Sequence, residues 1–65
     1  MGDVMAIAEG IRRARKDAGL TQEQLAQLAG TSERTVRAIE TGTGNPSLHS
    51  VVAVASVLGL KLAVG

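Results

Sequence analysis

Apolar residues near the N-terminus recur every three or four positions, which is the spacing of one face of an α-helix. They are Val4, Ile7, Ile11, Ala14 and Ala18. This pattern predicts a first helix over residues 4–18, with Asp3 as its N-terminal cap. Gly19 follows directly and supplies the left-handed residue with which many helices end, so the helix is expected to stop there.

Two shorter helices are predicted next, because each of two apolar stretches follows a hydroxyl side chain that can cap a helix. Thr21 and Gln24 have the spacing of a capping box, in which each side chain bonds the other residue's backbone amide. Ser32 is expected to cap the second of these helices. Gly30 lies between them and permits a sharp turn with left-handed backbone geometry. The predicted ranges are residues 22–29 and 33–41.

The last third of the chain is the most apolar, and its pattern predicts a helix followed by a strand. Ser47 is expected to cap a fourth helix over residues 48–58, which carries apolar side chains nearly all round and therefore needs cover on every side. Residues 60–64 alternate between apolar and other positions, as in a short β-strand. A single strand leaves its backbone groups unpaired, so the same strand of a second copy is the expected partner. The expected dimer-interface residues are Val54, Val57, Leu60, Leu62 and Val64.

The composition excludes several classes of site. Sixty-five residues make one domain, and the absence of cysteine removes disulfides and thiolate metal sites. His49 is the sole histidine, so we expect no metal centre, no cofactor and no enzymatic function. The chain also lacks phenylalanine, tyrosine and tryptophan, the rings on which single-stranded nucleic acids stack. Duplex DNA remains open as a partner.

The same features predict a cytoplasmic protein without a membrane partner. The longest apolar run, Val51–Val57, is interrupted only by Ser56 and is too short to span a bilayer. Asp3 and Glu9 occupy the N-terminal region where a signal peptide would have basic and then apolar residues. The absence of cysteine suits a reducing compartment.

Basic residues are unevenly distributed, although the net charge is only +1. One group lies in the first predicted helix and consists of Arg12, Arg13, Arg15 and Lys16. A second pair, Arg34 and Arg37, lies in the third. In that helix Val36 and Ile39 take the inward positions, so the two arginines are expected on the outward side. This side is the candidate surface for a nucleic acid.

The segment Leu20–Gly42 reads LTQEQLAQLAGTSERTVRAIETG and resembles the helix-turn-helix of the Cro and lambda-repressor (XRE) family. The similarity extends over about residues 7–58. It implies an all-α, four-helix lambda-repressor-like domain that binds double-stranded DNA. With the predicted terminal strand pairing across a homodimer, the expected function is sequence-specific transcriptional repression at a palindromic operator.

The resemblance also assigns roles to individual residues. Positions matching those that contact bases or the groove are Ser32, Glu33, Arg34 and Arg37. Arg34 is the preferred candidate for a guanine, whose O6 and N7 a guanidinium can bond together. The expected phosphate contacts are Gln22, at the start of the second helix, and Thr43 with Asn45 in the loop after the third. Arg15 and Glu40 match a pair of residues that forms a partly buried ion pair in this family.

The C-terminal segment leaves two functions open. From Asn45 onward the chain resembles HipB-type antitoxins, in which terminal strands pair across the dimer axis. This resemblance implies a possible toxin partner, with DNA binding as autoregulation. The alternative function is therefore a protein-interaction module whose main task is to bind and neutralise a toxin. A toxin encoded beside the gene would distinguish the two.

Overall fold

The computed structural model describes residues 2–60, with the side chains of residues 5–60. Within this range the chain is all-helical, as the sequence predicts. The helices are α1 (Gly2–Asp17), α2 (Gln22–Ala29), α3 (Glu33–Thr41) and α4 (Leu48–Val57). The predicted strand over residues 60–64 lies outside the described residues except for Leu60, and so do the predicted interface residues Leu62 and Val64.

The helix starts follow from local hydrogen bonds. Thr21 and Gln24 form the predicted capping box: the Thr21 hydroxyl accepts the Gln24 amide at 3.0 Å, and Gln24 Oε1 accepts the Thr21 amide at 2.9 Å. Ser32 and Ser47 cap α3 and α4 as predicted, each accepting an amide from three residues later. The prediction for Asp3 is wrong, because α1 already begins at Gly2.

The turn between α2 and α3 depends on Gly30. Its φ of 71° lies in the left-handed region, which side chains with a β-carbon rarely adopt. This geometry lets the Thr31 amide donate to Ala26 O at 2.9 Å, and the bond satisfies a carbonyl group in the last turn of α2. Only two residues then separate Gly30 from the start of α3. The two helices are consequently held in a tight corner.

The core draws one or two side chains from each helix. Its buried members are Ile11, Leu25, Ala26, Val36, Ile39 and Val54. Ala8 is also buried, whereas Ile7 and Ala18, both predicted on the inner face of α1, are exposed. The inward face of α1 is therefore rotated by about one residue from the predicted one. The sequence pattern missed this because Ala8 and Ile7 are both apolar.

The orientation of α4 corrects one predicted interface residue. Val54 is 0% exposed and belongs to the core of its own chain, so its assignment to the dimer interface is wrong. The side of α4 that packs inward consists of Val51, Val54, Ala55 and Leu58, at the i, i+3, i+4 and i+7 positions of a helix. His49 and Ser56 lie exposed on the outside. Leu48, Val52 and Val57 are exposed as well, so α4 is apolar on most sides, as predicted, and the described part of its own chain covers only one of them.

No helix in the described part of the chain combines the length and apolar character that crossing a bilayer requires.

Candidate nucleic-acid interface

The corner formed by α2 and α3 has a buried inner side and an exposed outer side. Leu25 and Ala26 of α2 are buried against Val36 and Ile39 of α3 in the same cluster. Ala26 is small, which lets the two helix backbones approach closely. Because these residues fix the inner side, the rotation of α3 about its axis is determined. Its remaining positions face solvent.

The four predicted base-contacting residues are all on this exposed side. They are Ser32, Glu33, Arg34 and Arg37, and they occupy the cap and the first one and a half turns of α3. Ala38, in the second turn, is only partly exposed. The N-terminal part of α3 therefore presents two guanidinium groups and one carboxylate on a rigid helix.

Glu33 and Arg37 form an exposed ion pair that the sequence reasoning missed. Arg37 Nη2 donates to Glu33 Oε2 at 3.2 Å, and the two side chains are 60% and 46% exposed. The signal was present in the sequence, since a Glu followed four residues later by Arg is a favourable helix pair. The other ion pair of the described side chains joins Arg15 to Glu40. Arg34 takes part in neither.

The Ser32 hydroxyl is already engaged within the chain. It accepts the Thr35 backbone amide at 3.1 Å and lies 3.0 Å from the Thr35 hydroxyl. These bonds make Ser32 the cap of α3, a role for which its type is well suited. A contact from Ser32 to a base stays a prediction.

The predicted ion pair between Arg15 and Glu40 is present and holds α3 from behind. Arg15 donates from Nε to Glu40 Oε2 at 2.6 Å and from Nη2 to Oε1 at 3.0 Å. Its third nitrogen, Nη1, donates to Leu20 O at 2.8 Å. The side chains are 12% and 2% exposed. This bidentate contact joins α1 and the loop after it to the C-terminal half of α3.

Gln22 contributes to the same network, which the sequence did not indicate. Its Nε2 donates to Glu40 Oε1 at 3.2 Å, and the residue is half-buried. The side chain therefore lies against α3, and this bond does not involve its amide oxygen. The capping box satisfies the Thr21 and Gln24 amides, so the Gln22 and Glu23 amides are left at the N-terminus of α2. An anion at this end would meet those two amides.

The two predicted phosphate contacts in the loop after α3 differ in whether their donors are already used within the chain. Thr41 Oγ1 donates to Arg37 O at 2.9 Å, so in its 2.7 Å contact with Thr43 Oγ1 the proton comes from Thr43. The Thr43 backbone amide donates to Ala38 O. Both donors of Thr43 are therefore used within the chain, and a phosphate would have to displace one of these bonds. Asn45 is exposed.

Comparison with known proteins places this geometry in a family. The profile of the family described as "Helix-turn-helix" matches residues 11–64. An uncharacterised HTH-type transcriptional regulator of the archaeon Methanothermobacter thermautotrophicus is 45% identical over 49 residues, which are 75% of this chain and 71% of that protein.

Two further relatives extend the comparison. The immunity repressor protein of Bacillus phage phi105 is 40% identical over 58 residues, or 89% of this chain, and the match spans only 40% of the repressor's own length. A second archaeal HTH-type regulator, from Methanocaldococcus jannaschii, is 44% identical over 43 residues, 66% of this chain and 65% of that protein. The matched region contains the capped α2, the Gly30 turn and α3, and this chain belongs to the XRE-type helix-turn-helix family.

Proposed function

We propose that this domain is a sequence-specific transcriptional repressor that binds double-stranded DNA as a homodimer at a palindromic operator. The observation that carries the proposal is the position of Arg34 and Arg37 on the exposed N-terminal half of α3. The opposite side of the same helix is buried. In a helix-turn-helix, this part of the second helix enters the major groove and meets the base edges.

The contacts of α3 support a role in reading bases. A reading helix must keep one orientation, because a bidentate bond to a base edge depends on the direction of the side chain. Val36 and Ile39 fix the rotation of α3, and the Glu40 carboxylate holds it to Arg15 of α1. Flexible positioning would serve phosphate contacts, which are largely independent of sequence. The rigid attachment of α3 favours sequence-specific binding.

The amides at the start of α2 are the proposed phosphate contact. Gln22 lies beside Glu40 through its side-chain amide, so a phosphate bound at the Gln22 backbone would be held in register with α3. Asn45 is the proposed second contact, from the loop that follows α3. Two such contacts would orient the domain on the duplex and leave base recognition to the arginines.

Repression is supported by the phage relative, which is an immunity repressor protein. The proposed mechanism is occlusion of the promoter by the DNA-bound domain. The antitoxin interpretation stays a prediction. It rests on the resemblance from Asn45 onward, and the strand that belongs to this resemblance lies outside the described residues except for Leu60.

Selection of bound duplexes from a random pool tests the function directly. We expect recovery of a palindrome whose half-sites are about 34 Å apart, or one turn of DNA, because each subunit of a dimer places one α3 in the major groove. Recovery of a single half-site would contradict the homodimer, and recovery of no consensus would contradict sequence-specific binding. The selected operator is also the ligand for the mutational tests below.

The proposed dimer interface lies at the C-terminal end of α4, where Val57 and Leu60 remain 37% and 36% exposed. A chain that ends at Leu60 keeps the bond from the Leu60 amide to Ala55 O at 2.9 Å, so the end of α4 stays closed. We expect this truncation to convert the dimer to a monomer in sedimentation velocity. Leu48→Ser changes an exposed residue on the opposite flank of α4, nine positions from Val57, and should leave the dimer intact. A dimer that survives the truncation shows that the predicted strand is not its main interface.

A further inference from the structure

The outer side of α3 carries two arginines, and only one of them, Arg37, forms an ion pair with Glu33. Arg37 Nη2 contacts Glu33 Oε2 at 3.2 Å, whereas Arg34 belongs to neither ion pair of the described side chains. We infer that Glu33 is a specificity-determining residue that acts through Arg37. On random DNA the Glu33 carboxylate stays paired with Arg37 and weakens the attraction of this arginine to phosphates. On the operator a guanine replaces Glu33 as the partner of Arg37. The inference rests on the proposed function.

The geometry of the pair makes such an exchange possible. The contact is a single hydrogen bond between two side chains that are each about half exposed, and pairs of this kind are weak. A guanine edge offers O6 and N7 to one guanidinium together, which is a better acceptor set than one carboxylate oxygen. A phosphate can also bind a guanidinium through two oxygens, but phosphates are present on every duplex and carry no sequence information. An operator guanine adds its two acceptors to the phosphates that random DNA also offers, so Glu33 is displaced from Arg37 more readily on the operator.

Charge gives the second part of the argument. Close to the duplex the Glu33 carboxylate cancels the positive charge of Arg37, so the exposed half of α3 carries the net charge of Arg34 alone. Non-specific binding depends on the number of phosphates that the protein neutralises, and each one adds about 0.9 to the slope of log K against log salt. Removing the carboxylate should add the charge of Arg37 to this count. Binding to any sequence then rises, and the difference between operator and random DNA becomes smaller.

The test is a double-mutant cycle on a random-sequence duplex. We expect Glu33→Gln to raise the affinity for this duplex about three- to tenfold near 0.1 M salt and to steepen the salt slope by about 0.9. The affinity for the selected operator should change less, so the ratio of operator to random binding falls. Both side chains are exposed, and circular dichroism should report the same folded state for each variant.

The Arg37→Gln background decides whether Glu33 acts through Arg37. In that background Glu33→Gln should change neither the salt slope nor the affinity for random DNA. An equal effect in both backgrounds would mean that Glu33 simply repels phosphate, and the inference would be overturned. It is equally overturned if Glu33→Gln leaves random binding unchanged.

Glu9→Gln is the matched control, because Glu9 is exposed on α1, outside the corner of α2 and α3, and belongs to neither ion pair of the described side chains. It should leave the salt slope within the error of the wild type, and a slope as steep as that of Glu33→Gln would again point to simple repulsion. If the wild-type chain binds neither operator nor random duplex, the proposed function fails as well. If the wild type binds both duplexes and the effects of Glu33→Gln and Arg37→Gln are additive, only the role inferred for Glu33 is contradicted.

Discussion

Replacing Arg15 by methionine is expected to lower the free energy of unfolding by about 3 kcal/mol, which is the lower end of the cost of removing one partner from a buried ion pair. The loss is large because Glu40, only 2% exposed, would be left buried without the guanidinium that now contacts both carboxylate oxygens. Gln22 would remain as its one side-chain donor among the described residues. Leu20 O would also lose its bond from Nη1.

The size of this loss matters because the chain is short. Domains have about 0.05–0.15 kcal/mol of stability per residue, so 65 residues correspond to a total of about 3–10 kcal/mol. Arg15→Met should therefore be partly unfolded at room temperature or melt well below the wild type. Urea denaturation followed by circular dichroism at 222 nm, with an added stabilising osmolyte if needed, measures the difference.

Two further variants separate the ion pair from the helix surface. Arg12→Met makes the same substitution at an exposed position of α1 and should stay within about 0.5 kcal/mol of the wild type. The double variant Arg15→Met, Glu40→Leu removes both charges and should recover most of the loss, because apolar residues of similar size often replace a buried ion pair at little cost. If Arg15→Met is as stable as Arg12→Met, the pair does not stabilise the fold.

The features that could be predicted from the sequence are those decided within a few residues. The caps at Thr21, Ser32 and Ser47 depend on a hydroxyl and an amide three positions apart, and all three are present. The turn at Gly30 depends on one residue that tolerates a positive φ. These local bonds leave little for the rest of the chain to alter.

The faces of the apolar helices could not be predicted in the same way. In α4 valine, alanine and leucine occupy positions on several sides, so hydrophobicity alone does not select the side that packs against α2 and α3. For this reason the sequence pattern predicts an outward Val54, although Val54 lies in the core. In α1 the same ambiguity makes the pattern predict Ile7 on the inner face, where the structure has Ala8. Only the packing of the other helices resolves such cases.

The candidate site shows the same division between local and distant contacts. The outward position of Arg34 and Arg37 followed from the helical period, which places Val36 and Ile39 inside. The contact of Gln22 with Glu40 joins residues 18 positions apart, and no local pattern indicates it. The pairing of Arg15 with Glu40, 25 positions apart, was available only through the family resemblance.

The second large effect is expected for Arg34→Ala, which should weaken operator binding by about 1–3 kcal/mol, or roughly 5- to 150-fold. The side chain is exposed near the start of α3 and belongs to neither ion pair of the described side chains, so no carboxylate has to be displaced before it binds. If it bonds O6 and N7 of a guanine, its removal should abolish discrimination at one base pair of each half-site and leave the other positions unchanged. Titration of the operator and its single-base variants at fixed salt measures this pattern.

A phosphate contact from Arg34 would give a different pattern and would contradict its role as a base reader. In that case Arg34→Ala would weaken all duplexes by the same factor and reduce the salt slope by about 1. Arg13→Ala is the matched control, because it removes an equal charge from an exposed position of another helix, α1. It should leave base discrimination unchanged. The comparison separates the effect of the charge of Arg34 from the effect of its position on α3. Only its position can make binding depend on one particular base pair.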